Sequence, residues 1–274
     1  MNYIGIDIGT TNIKIIETDK NLNILNKQIF EKQDPNNALK NFIENNNINL
    51  NSIEKIMVTG VGISKLNNTF ENIEIKKVPE FIAISNAGEY ALKETNYLVA
   101  SVGTGTAFIK NKDGKNSHVG GTGVGGGTLI NLCKKIIPKI TFEKINSITK
   151  TNSLENVDLW IKDVTDAEIK TLPKDITAVN LGKLNKNTNN EDLILGIVNM
   201  VFETIGVMAA FAAKGDNITN VVVLGQLVKM PFARKVLNKI EFLHNVKFII
   251  PENPEYIVAL GAINVSLNTQ KEDF

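Results

Sequence analysis

Cysteine is almost absent from this chain, with Cys133 as the single example among 274 residues. One thiol cannot close a disulfide within the chain, and alone it cannot build a zinc or iron–sulfur cage. We therefore expect a reducing compartment and a cytoplasmic protein. An apolar strand pattern begins as early as Tyr3, which leaves no room for a charged and then apolar leader, so we expect no signal peptide.

The net charge is small, and long hydrophobic runs are few. Lys and Arg number 30 against 29 Asp and Glu, so the net charge is +1, and we expect neither nucleic acid nor an anionic membrane as a partner. Residues 193–213 have the length of a membrane span, but Asn199, Glu203 and Thr204 interrupt them. We interpret this run as a core helix that ends at Gly215.

Glycine, by contrast, is gathered at two similar turns, each of which follows an apolar, strand-like run. The first turn reads Asp7, Ile8, Gly9, Thr10, Thr11, and the second reads Ser101, Val102, Gly103, Thr104, Gly105, Thr106. Small residues let backbone N–H groups approach phosphate oxygens, and threonine hydroxyls add hydrogen bonds. The duplication indicates a bilobal nucleotide-binding fold that closes on the phosphates of ATP from both sides.

The strand pattern around these turns is duplicated too. Alternating or β-branched residues predict an antiparallel meander of strands at 3–8, 13–18 and 24–30, and the pattern restarts at 97–102 and 106–110. Helices are predicted at 36–44 and 81–94, and short strands at 55–59 and 75–78. With 43% hydrophobic residues the chain can bury cores for two subdomains of roughly 100 to 150 residues. We place them at residues 1–95 and 96–274.

A third glycine cluster leads into an apolar, helix-like stretch that starts at Thr128. It contains Gly120, Gly121, Gly123, Gly125, Gly126 and Gly127. A glycine-rich loop followed by a helix lets exposed N–H groups and the positive end of the helix dipole hold an anion. A flexible linker is the alternative, but linkers are not normally followed by an apolar helix. A further strand-to-glycine turn occurs at Gly225 and Gln226.

Several motifs in a fixed order carry a family resemblance. They are Asp7, Gly9, Thr10, Thr11 and Lys14; Thr59, Gly60 and Gly62; Glu80, Phe81 and Ala83; Gly103 to Thr106; the third glycine cluster with Thr122; and Gly225 with Gln226. In this order they resemble the type II pantothenate kinases, which belong to the acetate and sugar kinase, Hsp70 and actin superfamily. The resemblance covers nearly the whole chain, including residues 172–182.

The resemblance implies both a fold and an activity. The fold is α/β, a duplicated ribonuclease H-like (actin-like ATPase) fold with two subdomains and a nucleotide cleft between them. The activity is ATP-dependent phosphorylation of pantothenate to 4'-phosphopantothenate, the first step of coenzyme A biosynthesis. Type II pantothenate kinases are dimers, so a homodimer is also implied.

The same resemblance implies an ATP site with Mg²⁺. Its residues are Asp7, Ile8, Gly9, Thr10, Thr11, Asn12, Ile13, Lys14, Thr104, Gly126, Gly127, Thr128, Leu129, Ile130, Phe142 and Gln226. Asp7 would orient the metal through water, because Mg²⁺ sheds its hydration shell reluctantly. Phe142 would stack near the base, although an aromatic residue in an apolar helical region more often belongs to the core.

The acceptor site is expected to contain Glu80, Gly103, Thr106 and His118. Many relatives carry an aspartate, often the base, where Ser101 stands, so we assign the catalytic base to Glu80. This residue follows Pro79 at a predicted helix start, where the dipole would keep its carboxylate ionised and able to accept a proton.

Glu80 and His118 also each have a purely structural interpretation. For Glu80 it is capping of the helix start. His118 stands where well-known family members place an arginine for the pantothenate carboxylate, and it can donate a hydrogen bond. Its structural alternative is a polar residue that ends a hairpin.

Two other functions stay open at this stage. One is an N-acetylhexosamine kinase, because acceptor specificity depends on pocket shape, and the other is a non-catalytic, nucleotide-dependent regulator. Activators of radical dehydratases share the fold but need more cysteine than Cys133 alone. The apolar stripe with Val207, Met208 and Phe211 suits a subunit contact as well as core packing.

Overall fold

The protein is seen in a computed structural model that describes residues 1–169 and 171–272. Its N-terminal half runs in the order β1 (Asn2–Ile8), β2 (Asn12–Asp19), β3 (Ile24–Glu31), α1 (Pro35–Asn45), β4 (Ile53–Thr59), β5 (Thr69–Phe70), β6 (Ile73–Lys77) and α2 (Glu80–Leu92). Helix α1 begins where Asp34 accepts hydrogen bonds from the N–H groups of Asn36 and Asn37, with Pro35 in the first turn.

These strands form one mixed sheet in the order β3-β2-β1-β4-β6-β5. Strands β1, β2 and β3 pair antiparallel, so the predicted meander is confirmed. Strand β4 runs parallel to β1, and β6 runs parallel to β4. The turn that joins β1 to β2 therefore lies at the same edge of the sheet as the carboxyl ends of β1 and β4.

The C-terminal half repeats this plan with additions. Its order is β7 (Tyr97–Val102), β8 (Thr106–Lys112), β9 (Lys115–Thr122), α3 (Gly126–Ile136), α4 (Phe142–Thr151), β10 (Leu159–Trp160), α5 (Ile161–Val164), β11 (Thr177–Val179), α6 (Asn190–Lys214), β12 (Asn220–Leu224), α7 (Pro231–His244), β13 (Lys247–Ile249) and α8 (Ile257–Glu272). The main sheet has the order β13-β12-β7-β8-β9, and β10 pairs with β11 separately.

The two main sheets share one topology. Strands β7, β8 and β9 form an antiparallel meander, and β12 and β13 continue the sheet in parallel with β7. Strands β1, β2 and β3, followed by β4 and β6, are arranged in the same way. The duplicated α/β fold predicted from the repeated turns is therefore confirmed.

Strand β9 is missing from the sequence prediction, which treats residues 120–127 as one glycine loop. Gly120 and Gly121 instead pair with Phe108 and Ala107 on β8. The loop before α3 is correspondingly shorter, and the helix begins at Gly126 rather than Thr128. Glycine has a low strand propensity, so its clustering hid the end of this strand. The prediction also omits helix α7 and the β10–β11 pair.

Helices α2 and α8 form a core that both halves share. Buried residues of the first sheet, such as Tyr3 and Met57, and of the second, such as Val99, belong to one cluster with these helices. A Cβ atom on Gly261 would lie 2.1 Å from the carbonyl oxygen of Ala83, so only glycine lets α8 approach α2 this closely. The shared helices hold the two sheets in a defined relation.

Helix α6 is the segment that has the length and composition of a membrane span. Its N-cap is Asn189, whose side chain accepts from the N–H of Asp192, and its C-cap is Gly215, so the predicted helix end is confirmed. Of its most apolar 18-residue window, 67% is buried inside the protein. This burial is what a core helix requires, in agreement with the sequence interpretation.

Candidate functional site

The two glycine-threonine turns are the β-hairpin turns at the start of each sheet, and they face each other. In the first, the N–H of Gly9 donates to the carbonyl of Asn12 at 3.0 Å, and in the second the N–H of Gly103 donates to the carbonyl of Gly105 at 2.8 Å. The hydroxyl oxygens of Thr11 and Thr104 lie 3.4 Å apart. Two similar hairpins therefore meet, each with an exposed threonine, and we take the space beside them as the candidate cleft.

The start of helix α3 is packed onto the second hairpin through its backbone. The N–H groups of Gly126 and Gly127 donate to the carbonyls of Gly103 and Thr104 at 2.8 and 2.9 Å. A Cβ atom on Gly127 would lie 2.5 Å from the Thr104 methyl carbon, whereas one on Gly123 would meet nothing within 4 Å. The N–H groups of Gly126 and Gly127 are therefore used within the protein and are not free to hold an anion as was expected from the sequence. Glycine is needed at position 127 for close packing, whereas the space around Gly123 is open.

The remaining predicted residues of this helix differ in what they can offer. The Thr128 hydroxyl donates to the carbonyl of Gly123 at 2.7 Å, which ties the loop to the helix. Leu129 is fully buried in the C-terminal core, and Ile130 is half-buried against it. The N–H of Leu129 donates to the carbonyl of Gly125 at 3.0 Å, so neither its side chain nor its N–H is free, and its predicted contact with ATP stays a prediction.

Asp7 and Lys14 form an ion pair at the end of β1. They are directly opposite each other in the β1–β2 register, and the Lys14 Nζ donates to the Asp7 Oδ2 at 2.9 Å. Gly60, with φ of 97°, packs beside them, and a Cβ atom on it would lie 2.9 Å from the Asp7 Oδ1. The buried carboxylate is therefore bound by Lys14 on one side and packs closely on the Gly60 backbone.

This carboxylate fits Mg²⁺ bound largely through water and phosphate. Among the residues that the structure describes, no group of three or more His, Cys, Asp or Glu side chains is placed to hold a metal. Mg²⁺ is characteristically bound by one or two carboxylates, several waters and substrate phosphates. A single buried Asp7 between two phosphate-type hairpins matches that donor set.

Glu80 is the first residue of helix α2 and is half-buried. Its pKa is raised, first by burial and then by the nearby charge of Asp7, and Lys14 opposes the shift. The sequence argument expected the helix dipole to keep the carboxylate ionised. Burial and the second carboxylate instead favour its protonated form, which makes Glu80 a stronger proton acceptor than an ordinary glutamate.

His118 lies on the exposed edge strand β9, and its ring stacks on Phe81. The ring centroids are 4.3 Å apart and the planes are inclined by 16°. Since Phe81 follows Glu80 directly, the stack brings His118 beside the start of α2. The structure thus brings His118 against Phe81, the chain neighbour of the predicted base Glu80.

The other acceptor residues contribute less directly. The Thr106 hydroxyl is buried and donates to the carbonyl of Val124 at 2.8 Å, so its proton is already used. Gly103 is exposed, and a Cβ atom there would lie 3.8 Å from its nearest neighbour. Gly103 therefore leaves room next to the second hairpin.

Gln226 follows β12 and meets the first hairpin. Its Oε1 accepts from the Asn12 Nδ2 at 3.3 Å. The side chains of Ile8 and Ile13 are buried in the N-terminal core, so these residues can offer only backbone groups. Phe142 is half-buried against the C-terminal core, and its stacking on a base stays a prediction.

Two residues near the site, Phe81 and Glu255, were given no role in the sequence analysis. Phe81 belongs to a recognised motif, but its exposed position opposite a histidine is visible only in three dimensions. Glu255 is 3% exposed, and its Oε1 accepts from the Lys229 Nζ at 2.5 Å. The carbonyl of the neighbouring Pro254 accepts from the N–H of Gly225 at 2.9 Å. The segment with Pro254 and Glu255 therefore supports the turn that carries Gln226. The polar run at 252–256 was the available signal.

Comparison with solved structures supports the architecture. The activator of the 2-hydroxyisocaproyl-CoA dehydratase from Clostridium difficile, with bound ADPNP, has a TM-score of 0.71 and 19% identity, and the match covers 100% of this chain and 97% of that chain. At this identity the likeness shows the fold alone. Together with the duplicated sheet topology, it establishes the two-subdomain, actin-like α/β fold.

Sequence comparison identifies the family. Residues 91–263 match the family model described as Fumble. The type II pantothenate kinase of Bacillus thuringiensis subsp. konkukian is 30% identical over 237 residues, which cover 81% of this chain and 82% of the relative. That of Staphylococcus haemolyticus is 28% identical over 271 residues, which cover 95% and 98%. This chain therefore belongs to the Fumble family of type II pantothenate kinases.

Proposed function

We propose that this protein is a pantothenate kinase, which transfers the terminal phosphoryl group of ATP to the primary hydroxyl of pantothenate in the first step of coenzyme A biosynthesis. The observation that carries the proposal is the position of Glu80, a half-buried carboxylate of raised pKa next to the Asp7–Lys14 pair. The relatives named type II pantothenate kinase at 28 to 30% identity support the choice of acceptor.

Glu80 is the proposed catalytic base. Phosphoryl transfer depends mainly on positioning and on neutralising charge, so the base has to hold the acceptor hydroxyl in line and take its proton as the bond to phosphorus forms. A carboxylate with a raised pKa suits this role because its proton affinity is closer to what the step requires. The half-buried setting of Glu80 provides that property.

The two hairpins, α3 and the Asp7–Lys14 pair are proposed to position ATP. The exposed hydroxyls of Thr11 and Thr104, one from each hairpin, would donate to the phosphates, and the Lys14 ammonium, paired with Asp7, would add positive charge at the end of the first strand. Mg²⁺, held through water by Asp7, would neutralise phosphate charge. Gln226, linked to Asn12, borders the nucleoside end of the cleft.

The acceptor side has an apolar wall, and this favours pantothenate over a sugar. Ile82 and Val119, which follow Phe81 and His118 in the chain, are 44% and 43% exposed, and we propose that they form this wall. Pantothenate carries two methyl groups next to its hydroxyl and a carboxylate at its other end, which match an apolar wall and an imidazole donor. An N-acetylhexosamine would need hydrogen-bonding partners around its ring hydroxyls.

Subunit arrangement, domain division and compartment belong to the same proposal. We divide the chain into subdomains at residues 1–95 and 96–274, with the nucleotide between them. The protein is expected to work in the cytoplasm as a homodimer, without nucleic acid or membrane partners. Met208 and Phe211 on α6 are 38% and 60% exposed, which supports α6 as part of a subunit contact.

A coupled ADP-release assay tests the proposal. Purified protein with Mg-ATP is compared in the presence of pantothenate, pantetheine, N-acetylglucosamine and no acceptor. We expect ADP release that depends on pantothenate and that Glu80→Gln reduces by about 10²- to 10⁴-fold. Release that depends on N-acetylglucosamine would indicate the sugar kinase instead. Nucleotide binding with no acceptor-dependent release would indicate a non-catalytic regulator.

A further inference from the structure

Phe81 occupies an unusual position for an aromatic residue on a packed helix. The next residues after Ile82 on α2, Ala83 and Ile84, are buried in the shared core, but the Phe81 ring is 47% exposed. It lies instead against the imidazole of His118, nearly parallel and 4.3 Å away between centroids. The ring is therefore used at the cleft rather than in the core.

An irregularity in β9 aims His118 at this ring. His118 is paired with Ile109, whereas the next pair along the ladder joins Gly120 to Phe108, so Val119 is an extra residue on β9. Such β-bulges bend the strand, redirect side chains and recur beside active sites. Strand β9 also lies at the edge of its sheet, where a side chain has fewer neighbours to hold it.

We propose that Phe81 is a positioning residue for the substrate that receives the phosphoryl group. By stacking on His118 it fixes the plane of the imidazole, so that a ring N–H points at the hydrogen-bonding group at the far end of that substrate. This inference rests on the proposed kinase function and deepens it. The nitrogens of a stacked imidazole lie in the ring plane, so the contact leaves both of them free to bind the acceptor.

The arrangement also links the two ends of the acceptor. Glu80 and Phe81 are consecutive on α2, so one helix turn carries the base for the hydroxyl and the support for the residue that binds the far end. A helix start is rigid compared with a β-hairpin tip. Helix α2 thereby sets the distance between the Glu80 carboxylate and the His118 imidazole. A substrate whose two ends match this distance is selected.

Kinetics of five variants test the role. Aromatic pairs contribute enough that removing the stack should raise the KM for pantothenate about threefold to tenfold. We expect this for Phe81→Leu, with kcat and the KM for ATP unchanged, and near wild-type values for Phe81→Tyr, which keeps the ring. In a His118→Gln background, Phe81→Leu should change the KM less than twofold. Phe242→Leu, at a phenylalanine that is 71% exposed on α7, is the matched control.

Other outcomes would contradict the positioning role of Phe81. Independent, multiplicative effects of Phe81→Leu and His118→Gln, or a Phe81→Tyr variant as impaired as Phe81→Leu, would overturn the positioning role. An equal loss in Phe242→Leu would show that the effect is not specific to the stack.

Proton NMR separates this inference from the kinase assignment. The chain has 2 histidines, so the His118 ring resonances can be assigned by comparison with His118→Gln. Phe81→Leu should shift them through loss of the ring current, and pantothenate should shift them in the wild type. If the wild type shows no turnover with pantothenate, the kinase proposal fails, while the Phe81→Leu shift still reports the stack. Unmoved His118 resonances in both experiments would overturn the inference itself.

Discussion

The hydroxyl oxygens of Thr11 and Thr104 lie 3.4 Å apart, although 93 residues separate them in the chain. Each belongs to the hairpin turn that joins the first two strands of its own sheet. Because the two sheets share one topology and meet through α2 and α8, the turns occupy equivalent positions and face each other across the cleft. At this distance the two hydroxyls contact each other, so a phosphate oxygen bound beside the pair would receive hydrogen bonds from both halves of the protein.

Glu80 should give the activity a pH dependence. Its pKa is raised by burial and by Asp7, and the base works only when ionised, so kcat/KM should fall as the pH is lowered through a value above the usual glutamate range. A pH–rate profile with pantothenate measures this. A kcat/KM that stays constant until the pH reaches the ordinary pKa of glutamate would contradict the assignment of Glu80 as the base.

The Glu80 carboxyl should also make folding stability depend on pH, in the opposite direction from a typical ion-paired carboxylate. Because the folded-state pKa is above the unfolded one, the native state binds this proton more tightly. Its contribution is therefore favourable at low pH and is lost as the pH rises through the raised pKa. Glu80→Gln should raise the Tm relative to wild type at pH 7.5 but not at pH 4. Equal Tm differences at both values would argue against a raised pKa.

Gly127 and Gly123 offer a matched test of the glycine loop. In Gly127→Ala the new methyl group would lie 2.5 Å from the Thr104 methyl carbon and 3.0 Å from its carbonyl oxygen, which forces α3 away from the second hairpin. We expect ATP binding to weaken about tenfold or more. Gly123→Ala meets nothing within 4 Å, so isothermal titration should show nearly normal affinity. Equal losses would mean that packing on the hairpin is not the cause.

The Asn12–Gln226 hydrogen bond should contribute to nucleotide binding by joining the two halves. Loss of one neutral hydrogen bond is worth roughly 0.5–1.5 kcal/mol, so Gln226→Ala should raise the Kd for ATP about twofold to tenfold. In an Asn12→Ala background the same change should have a smaller effect. Fully additive losses would show that the two side chains act separately.

Cys133 should be chemically silent in the folded protein. Its thiol is fully buried, and burial raises its pKa to about 11, so little thiolate exists at pH 7.5 and reagents cannot reach it. Maleimide labelling followed by mass spectrometry should show modification in guanidinium chloride but not in buffer. Rapid labelling of the native protein would contradict the placement of α3.

Much of the fold could be predicted because its signals are local. The strands before each glycine-threonine turn, the helix that ends at Gly215 and the start of α2 near Glu80 are marked by residue periodicity and by capping or turn residues within a few positions. Strand β9 escaped prediction because residues 115–119 are all exposed and mostly polar, and Gly120 and Gly121 have no side chains, so the strand shows no alternation of buried and exposed residues.

By itself, the sequence determined the duplicated strand pattern, the glycine turns and the family, because short-range patterning and motif order are written directly in the residues. The tertiary structure alone decided the environment of those residues. Burial and Asp7 raise the pKa of Glu80, and His118, next to a β-bulge, stacks on Phe81. The reason is physical: electrostatic and stacking interactions act over a few ångströms in space, between residues that can lie far apart in the chain.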